Sequence, residues 1–266
     1  MQMGSDDIQL FYDVKGDGFP VVLVHPFTVN HEFWVPVRDK LITKYRVITP
    51  DLRGHGRSQV GRGAATMAKH AEDLRRLIDA EGIKTAVFVG VSIGGYILFE
   101  FWRRYRSRVA ALVLSNTKAE ADTEIARANR LKSIEGARLH GTSPFIEEQI
   151  PKYVGASTLR NRPDIVDGVR ALMRTLTVDG LAAVQQGMAE RPDSVSTLPS
   201  IDVMTLVTTG DEDTLTPDQN ARLIQQRIPG ASLAIIPRAG HFAARENPEN
   251  YAGVLRQFLE RLQLRA

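Results

Sequence analysis

The sequence predicts an α/β fold, a mostly parallel sheet with helices on both faces, and three observations carry that expectation. Short apolar runs alternate with stretches of helical periodicity along most of the chain. One run passes without a linker through Gly-x-Ser-x-Gly into an amphipathic helix, from Val87 to Tyr105. Residues 118–200 interrupt the alternation with helical patterning alone.

Ile8–Val14 alternates apolar and polar residues, the period of a half-buried strand, and Lys15-Gly16-Asp17-Gly18 closes it as a turn. Val21–Val24 is continuously apolar, as a strand covered on both faces requires. Tyr45–Thr49, Ala86–Val91, Ala110–Leu114, Met204–Thr208 and Leu233–Ile236 repeat that type of run. Helical stretches lie between several of them, at Met67–Glu81, Tyr96–Tyr105 and Pro217–Gln226. The last helix, Pro248–Leu264, carries Tyr251, Val254, Leu255, Phe258, Leu259 and Leu262 at helical spacing. Such alternation indicates βαβ units, and right-handed crossovers then put helices on both faces. Ligands in such sheets bind outside the carboxyl ends of the strands.

Within 118–200, the segments Glu120–Gly136, Pro144–Tyr153, Asp164–Leu176 and Leu181–Glu190 read as short helices joined by Gly and Pro. A crossover needs only about a dozen residues. The segment is therefore expected to be a helical cap inserted into a core formed by residues 1–117 and 201–266.

With 266 residues, 43% of them hydrophobic, the chain can bury one large core without metals or disulfides. The net charge of +3 is small, and the arginines are scattered, which supplies no nucleic-acid footprint. The absence of cysteine excludes disulfides, thiolate metal sites and a cysteine nucleophile. Met1–Asp7 has neither the basic nor the apolar region of a secretory leader, and no run of eighteen apolar residues occurs. A cytoplasmic protein acting on a small molecule, with no nucleic-acid or membrane partner, is the expectation. Oligomeric state is not legible.

The junction Val87-Phe88-Val89-Gly90-Val91-Ser92-Ile93-Gly94-Gly95-Tyr96 is the most informative stretch. A sharp strand-to-helix turn presents a serine hydroxyl above the sheet on a strained backbone. Gly90 and Gly94 stand where a Cβ would crowd that turn. The helix after Ser92 aims its free N–H groups at a reacting oxygen. Serine needs a base to take its proton, and His241 follows the strand that ends near Pro237. Asp211, Glu212 and Asp213 follow the strand before it and compete as the acid. His25 is expected to hold a loop, His55 to pack beneath the site, and His31, His70 and His140 to be surface or loop histidines.

These residues resemble the α/β-hydrolase superfamily over essentially the whole chain. Gly210-x-x-Asp213-x-x-x-Pro217 looks like the family's acid loop, and it selects Asp213 over its neighbours. Gly240-His241 looks like its histidine loop, and Asp51-x-Arg53-Gly54-His55-Gly56-x-Ser58 resembles a loop frequent in the esterase and lactonase branches. The elbow is similar to that of 3-oxoadipate enol-lactonases, cofactor-free perhydrolases and small carboxylesterases. One departure stands out: His25-Pro26-Phe27 replaces the family's His-Gly-x. Proline has no N–H, but the resemblance places the donor one residue later, at Phe27.

The resemblance implies a catalytic triad of Ser92, Asp213 and His241, with backbone N–H groups of Phe27 and Ile93 as the oxyanion hole and no metal or organic cofactor. Trp34 is a candidate for the pocket lining, beside a plain packing role. The expected reaction is hydrolysis of a small carboxylic ester or lactone. Carbon–carbon bond hydrolysis, perhydrolysis and a slow-turnover ligand receptor stay open as alternatives. The cap arginines Arg127, Arg130, Arg138, Arg170 and Arg174 suit a solvated helix face, or in one or two cases a substrate carboxylate.

Overall fold

A computed structural model describes residues 1–262. Eight strands form one sheet: β1 (Gln2–Ser5), β2 (Ile8–Lys15), β3 (Phe19–Val24), β4 (Tyr45–Pro50), β5 (Ala86–Val91), β6 (Val109–Ser115), β7 (Thr205–Gly210) and β8 (Ser232–Ile236). Their order is β1-β2-β4-β3-β5-β6-β7-β8. The pairings β1–β2 and β2–β4 are antiparallel, and every pairing from β4 to β8 is parallel. β5 therefore lies near the middle of the sheet, between β3 and β6.

The helices are α1 (Val35–Arg38), α2 (Met67–Ala80), α3 (Ile93–Tyr105), α4 (Glu124–His140), α5 (Ser143–Tyr153), α6 (Ala156–Asn161), α7 (Pro163–Met173), α8 (Val178–Ala189), α9 (Asp218–Arg227), α10 (Ala243–Glu246) and α11 (Pro248–Arg261). Thr66, Thr123 and Thr177 cap α2, α4 and α8 by accepting a backbone N–H of the first turn. Five of the helices, α4 to α8, fall between β6 and β7, where no strand occurs among the described residues.

Alternate residues of the central strands feed two cores, as the two-residue period of a strand dictates. Val22, Phe88 and Leu112 pack with Leu74 of α2, Ile97 of α3 and Ile224 of α9. Val21, Val87, Val89 and Val113 pack on the other face with Tyr251, Leu255 and Phe258 of α11.

Three expectations need adjustment. β1 was not foreseen; Asp73 of α2, bound by buried Arg53, also accepts a hydrogen bond from Ser5 at its end. β8 is the sheet edge and not a fully buried run, and its Ile235 is exposed. The last helix ends at Arg261, and the expected continuation through residues 263–264 lies outside the described residues. No helix among the described residues is long and apolar enough to cross a membrane.

Candidate active site

Ser92 joins β5 to α3 with φ 56° and ψ −113°, a conformation that L-residues rarely adopt. Neighbours hold it there. Its N–H donates to Ser115 O at 3.0 Å, and its carbonyl accepts from Gly95 N–H at 2.9 Å and Thr117 Oγ1 at 2.7 Å. The end of β6 thus stabilises a backbone strain of about 1–3 kcal/mol. A Cβ added at Gly90 would stand 2.5 Å from the Gly94 carbonyl carbon, and one at Gly94 would stand 2.8 Å from Val24 O. Gly90→Ala is therefore expected to lower stability by about 2 kcal/mol or more, which a denaturant-unfolding midpoint would reveal.

His241 Nδ1–H donates to Asp213 Oδ2 at 2.9 Å, and both groups are buried. Asp213 also accepts from Asn116 Nδ2 at 2.9 Å and Thr216 Oγ1 at 2.6 Å on Oδ2. Its Oδ1 takes the backbone N–H groups of Leu215 at 2.9 Å and Thr216 at 3.0 Å. Burial alone would push the Asp213 carboxyl up; the adjacent His241 and the side-chain hydrogen bonds outweigh it and hold the group well below the usual carboxylate range.

The competing acids have other tasks. Asp211 Oδ1 accepts from Ala239 N–H at 3.2 Å, and Glu212 Oε2 accepts from Ser157 N–H at the start of α6, at 2.7 Å.

Ser92 and His241 line one cavity of about 660 Å³, together with Phe27, Tyr96 and Tyr153. The hydrogen bonds of the triad candidates join Asp213 to His241, and none joins His241 directly to Ser92 among the described residues. Such bonds are often long before substrate binds. The Tyr153 ring stacks on His241 with centroids 5.8 Å apart.

The His25-Pro26-Phe27 loop has its own fastening. His25 Nε2 accepts Leu52 N–H at 2.9 Å, so Nδ1 carries the proton and donates to Pro26 O at 2.8 Å. In a trans peptide the carbonyl and the next N–H point opposite ways. Tying Pro26 O to His25 therefore turns Phe27 N–H away from that ring, and among the described residues the group makes no bond to another backbone group. Ile93 is the first residue of α3, whose N–H likewise has no partner within the helix.

Trp34 does not line this cavity. It is wholly buried in the core that α11 covers, against Phe33 and Tyr251. His55 is buried and packs edge-on against His25 and Phe27. His31 is half-buried and bonded to Asp51, and His140 is exposed at the end of α4. His70 departs from expectation: it is fully buried within α2, and neither ring nitrogen has a hydrogen-bond partner among the described residues.

Burial lowers the pKa of His25 to about 4 and that of His55 to about 3, and it lowers His70 well below its ordinary value. An unfolded imidazole protonates near 6.5. Between that pH and the depressed folded values, the unfolded chain binds more protons, so stability is full above about pH 6.5 and lost as pH falls through 5 and 4. His70→Leu is expected to raise the thermal midpoint, and by more at pH 5 than at pH 8. Equal gains at both pH values would contradict this account.

Four residues of the site were missed. Asn116, Thr117 and Thr216 bond to Asp213 or Ser92, and Glu246 bridges two segments: its Oε1 accepts Gly240 N–H at 2.9 Å and its Oε2 accepts Gly155 N–H at 2.7 Å. Asn116 and Thr117 sit just past a buried run, and the carboxyl-end rule could have flagged them.

A strand–serine–helix elbow, a buried aspartate on a histidine and a shared cavity define the class, and comparison agrees. The family model of the alpha/beta hydrolase fold matches residues 20–248, and the chain belongs to that family. A thermophilic esterase from Thermogutta terrifontis, solved with malate bound, is 38% identical with a TM-score of 0.94, covering 97% of this chain and 95% of that one. A hydrolase from Pseudomonas aeruginosa is 27% identical with a TM-score of 0.91, covering 97% of both chains. 3-Oxoadipate enol-lactonase 1 of Acinetobacter baylyi is 24% identical over 91% of this chain and 89% of its own. Fold and relatives make this chain a hydrolase.

Proposed function

We propose that the protein cleaves small carboxylic esters or lactones through an acyl-enzyme on Ser92. One observation carries the reading: a strained Ser92 and a His241 held by the buried Asp213 carboxylate face one cavity, and the three residues follow the carboxyl ends of β5, β8 and β7. The esterase and enol-lactonase relatives support the same bond type.

In this mechanism His241 Nε2 takes the Ser92 proton while Oγ adds to the acyl carbon. Asp213 keeps the proton on Nδ1 and stabilises the imidazolium. The N–H groups of Phe27 and Ile93 receive the oxyanion, each worth about 3–4 kcal/mol of barrier. His241 then gives its proton to the leaving alkoxide as the carbon–oxygen bond breaks. Water, deprotonated by the same imidazole, releases the acid and restores Ser92. Residues 118–200 serve as a cap over the reacting centre.

The test is a stopped-flow screen of p-nitrophenyl esters from acetyl to octanoyl, with a panel of lactones. The expected result is turnover, with an acyl mass added to the peptide that carries Ser92. Turnover with the adduct on another residue, or no turnover of any ester or lactone, would sink the reading.

A further inference from the structure

Three cations meet the carboxylate of Asp122, and two of them, Lys118 and Arg130, line the cavity that Ser92 lines, with Arg191 behind them. Arg130 Nε donates to Asp122 Oδ2 at 2.5 Å and Arg191 Nη1 lies 2.7 Å from Asp122 Oδ1, so both carboxylate oxygens are taken. Lys118 Nζ stands 3.9 Å from the same carboxylate and donates no hydrogen bond among the described residues. Glu120, the next acid, lies 3.5 Å from Asn220 Nδ2 and does not line the cavity. The other acid of the lining, Glu148, is paired with Lys152. Positive charge is in excess at this wall.

The excess is also built in. The side chain of Asp122 is 1% exposed and that of Arg191 3%, and the Arg191 guanidinium lies 4.2 Å over the Tyr96 ring. Arg130 is further held by Gln185 Oε1 at 2.7 Å. Lys118 is left as the adaptable member, one residue beyond the Thr117 that binds the Ser92 carbonyl. Burial and the neighbouring Arg191 disfavour its charged form, so a second anion there would be welcome.

We infer that Lys118 and Arg130 form an anion subsite, and that the substrate is an ester or lactone carrying a free carboxylate. The inference rests on the ester or lactone reading for the placement of the acyl carbon at Ser92. The carboxylate would approach Lys118 Nζ and the solvent side of Arg130, where charge-assisted hydrogen bonds are strongest.

Two measurements separate this inference from the hydrolase reading. The first is the ratio of kcat/KM for the mono-p-nitrophenyl ester of glutaric acid to that for its methyl-capped neutral counterpart. The wild type is expected to favour the anionic ester about tenfold or more, Lys118→Gln to lose most of that ratio, and Lys118→Arg to keep much of it. The second is calorimetric binding of glutarate to the wild type and to Lys118→Gln, which needs no turnover. Ester hydrolysis with no anionic preference and no glutarate binding overturns the subsite and leaves the hydrolase. Glutarate binding that needs Lys118, with no ester cleaved, upholds the subsite and overturns the hydrolase.

Discussion

Ser92→Ala is expected to lose ester turnover by at least about a thousandfold while the protein keeps its fold. The loss follows from removing the atom that forms the acyl bond. The retained fold follows from what the serine does otherwise: its N–H and carbonyl anchor the elbow to Ser115 and Thr117, and alanine keeps both groups. Ser92→Gly sharpens the test. Glycine accepts φ 56° without a Cβ penalty, so this variant is expected to unfold about 1 kcal/mol later than Ser92→Ala while being equally inactive. Activity at the wild-type level in either variant would end the assignment, and circular dichroism guards against misfolding.

The second large effect is expected from Asp213→Asn, a fall in kcat of about ten-thousandfold. The geometry explains why a neutral isostere is not tolerated. Asp213 Oδ2 accepts from His241, Asn116 and Thr216, and Oδ1 accepts two backbone N–H groups. An amide NH₂ at either position meets a donor. The relief available is for the imidazole to move its proton to Nε2, which then no longer accepts from Ser92. The sign of the acid response follows from the same surroundings. A carboxyl held far below its usual range stays ionised through mild acid, so Asp213 contributes stability above its unfolded value near 4 that is lost only as pH falls towards its folded one.

The central strands and the elbow were legible because burial on both faces leaves an unbroken apolar run, and because only glycine fits beside Ser92. The short β1 was not, since Gln-Met-Gly-Ser has no such run and is tied down partly through Ser5 and Asp73. Asn116 bonds to a carboxylate 97 residues away, a pairing that no local spacing encodes. His70 was readable and misread. It falls in register with Met67, Ala71, Leu74, Leu77 and Ile78 on the buried face of α2, so helical period alone placed it inside. Trp34 was misdirected for the opposite reason: closeness in sequence to Phe27 says nothing about which side of the sheet a short helix covers.

Glu246 gives one carboxylate to two masters, the loop that carries His241 and the backbone between α5 and α6. With the Ser157 N–H bond to Glu212 and the Phe242 N–H bond to the Tyr153 carbonyl, it fastens the end of α5 and the start of α6 to the strand-end loops behind the imidazole. A change of room size made along α4, far from that fastening, can retune which molecules fit without disturbing the base. The same change made at Gly155, whose backbone sits against Gly240, would drag the imidazole with it.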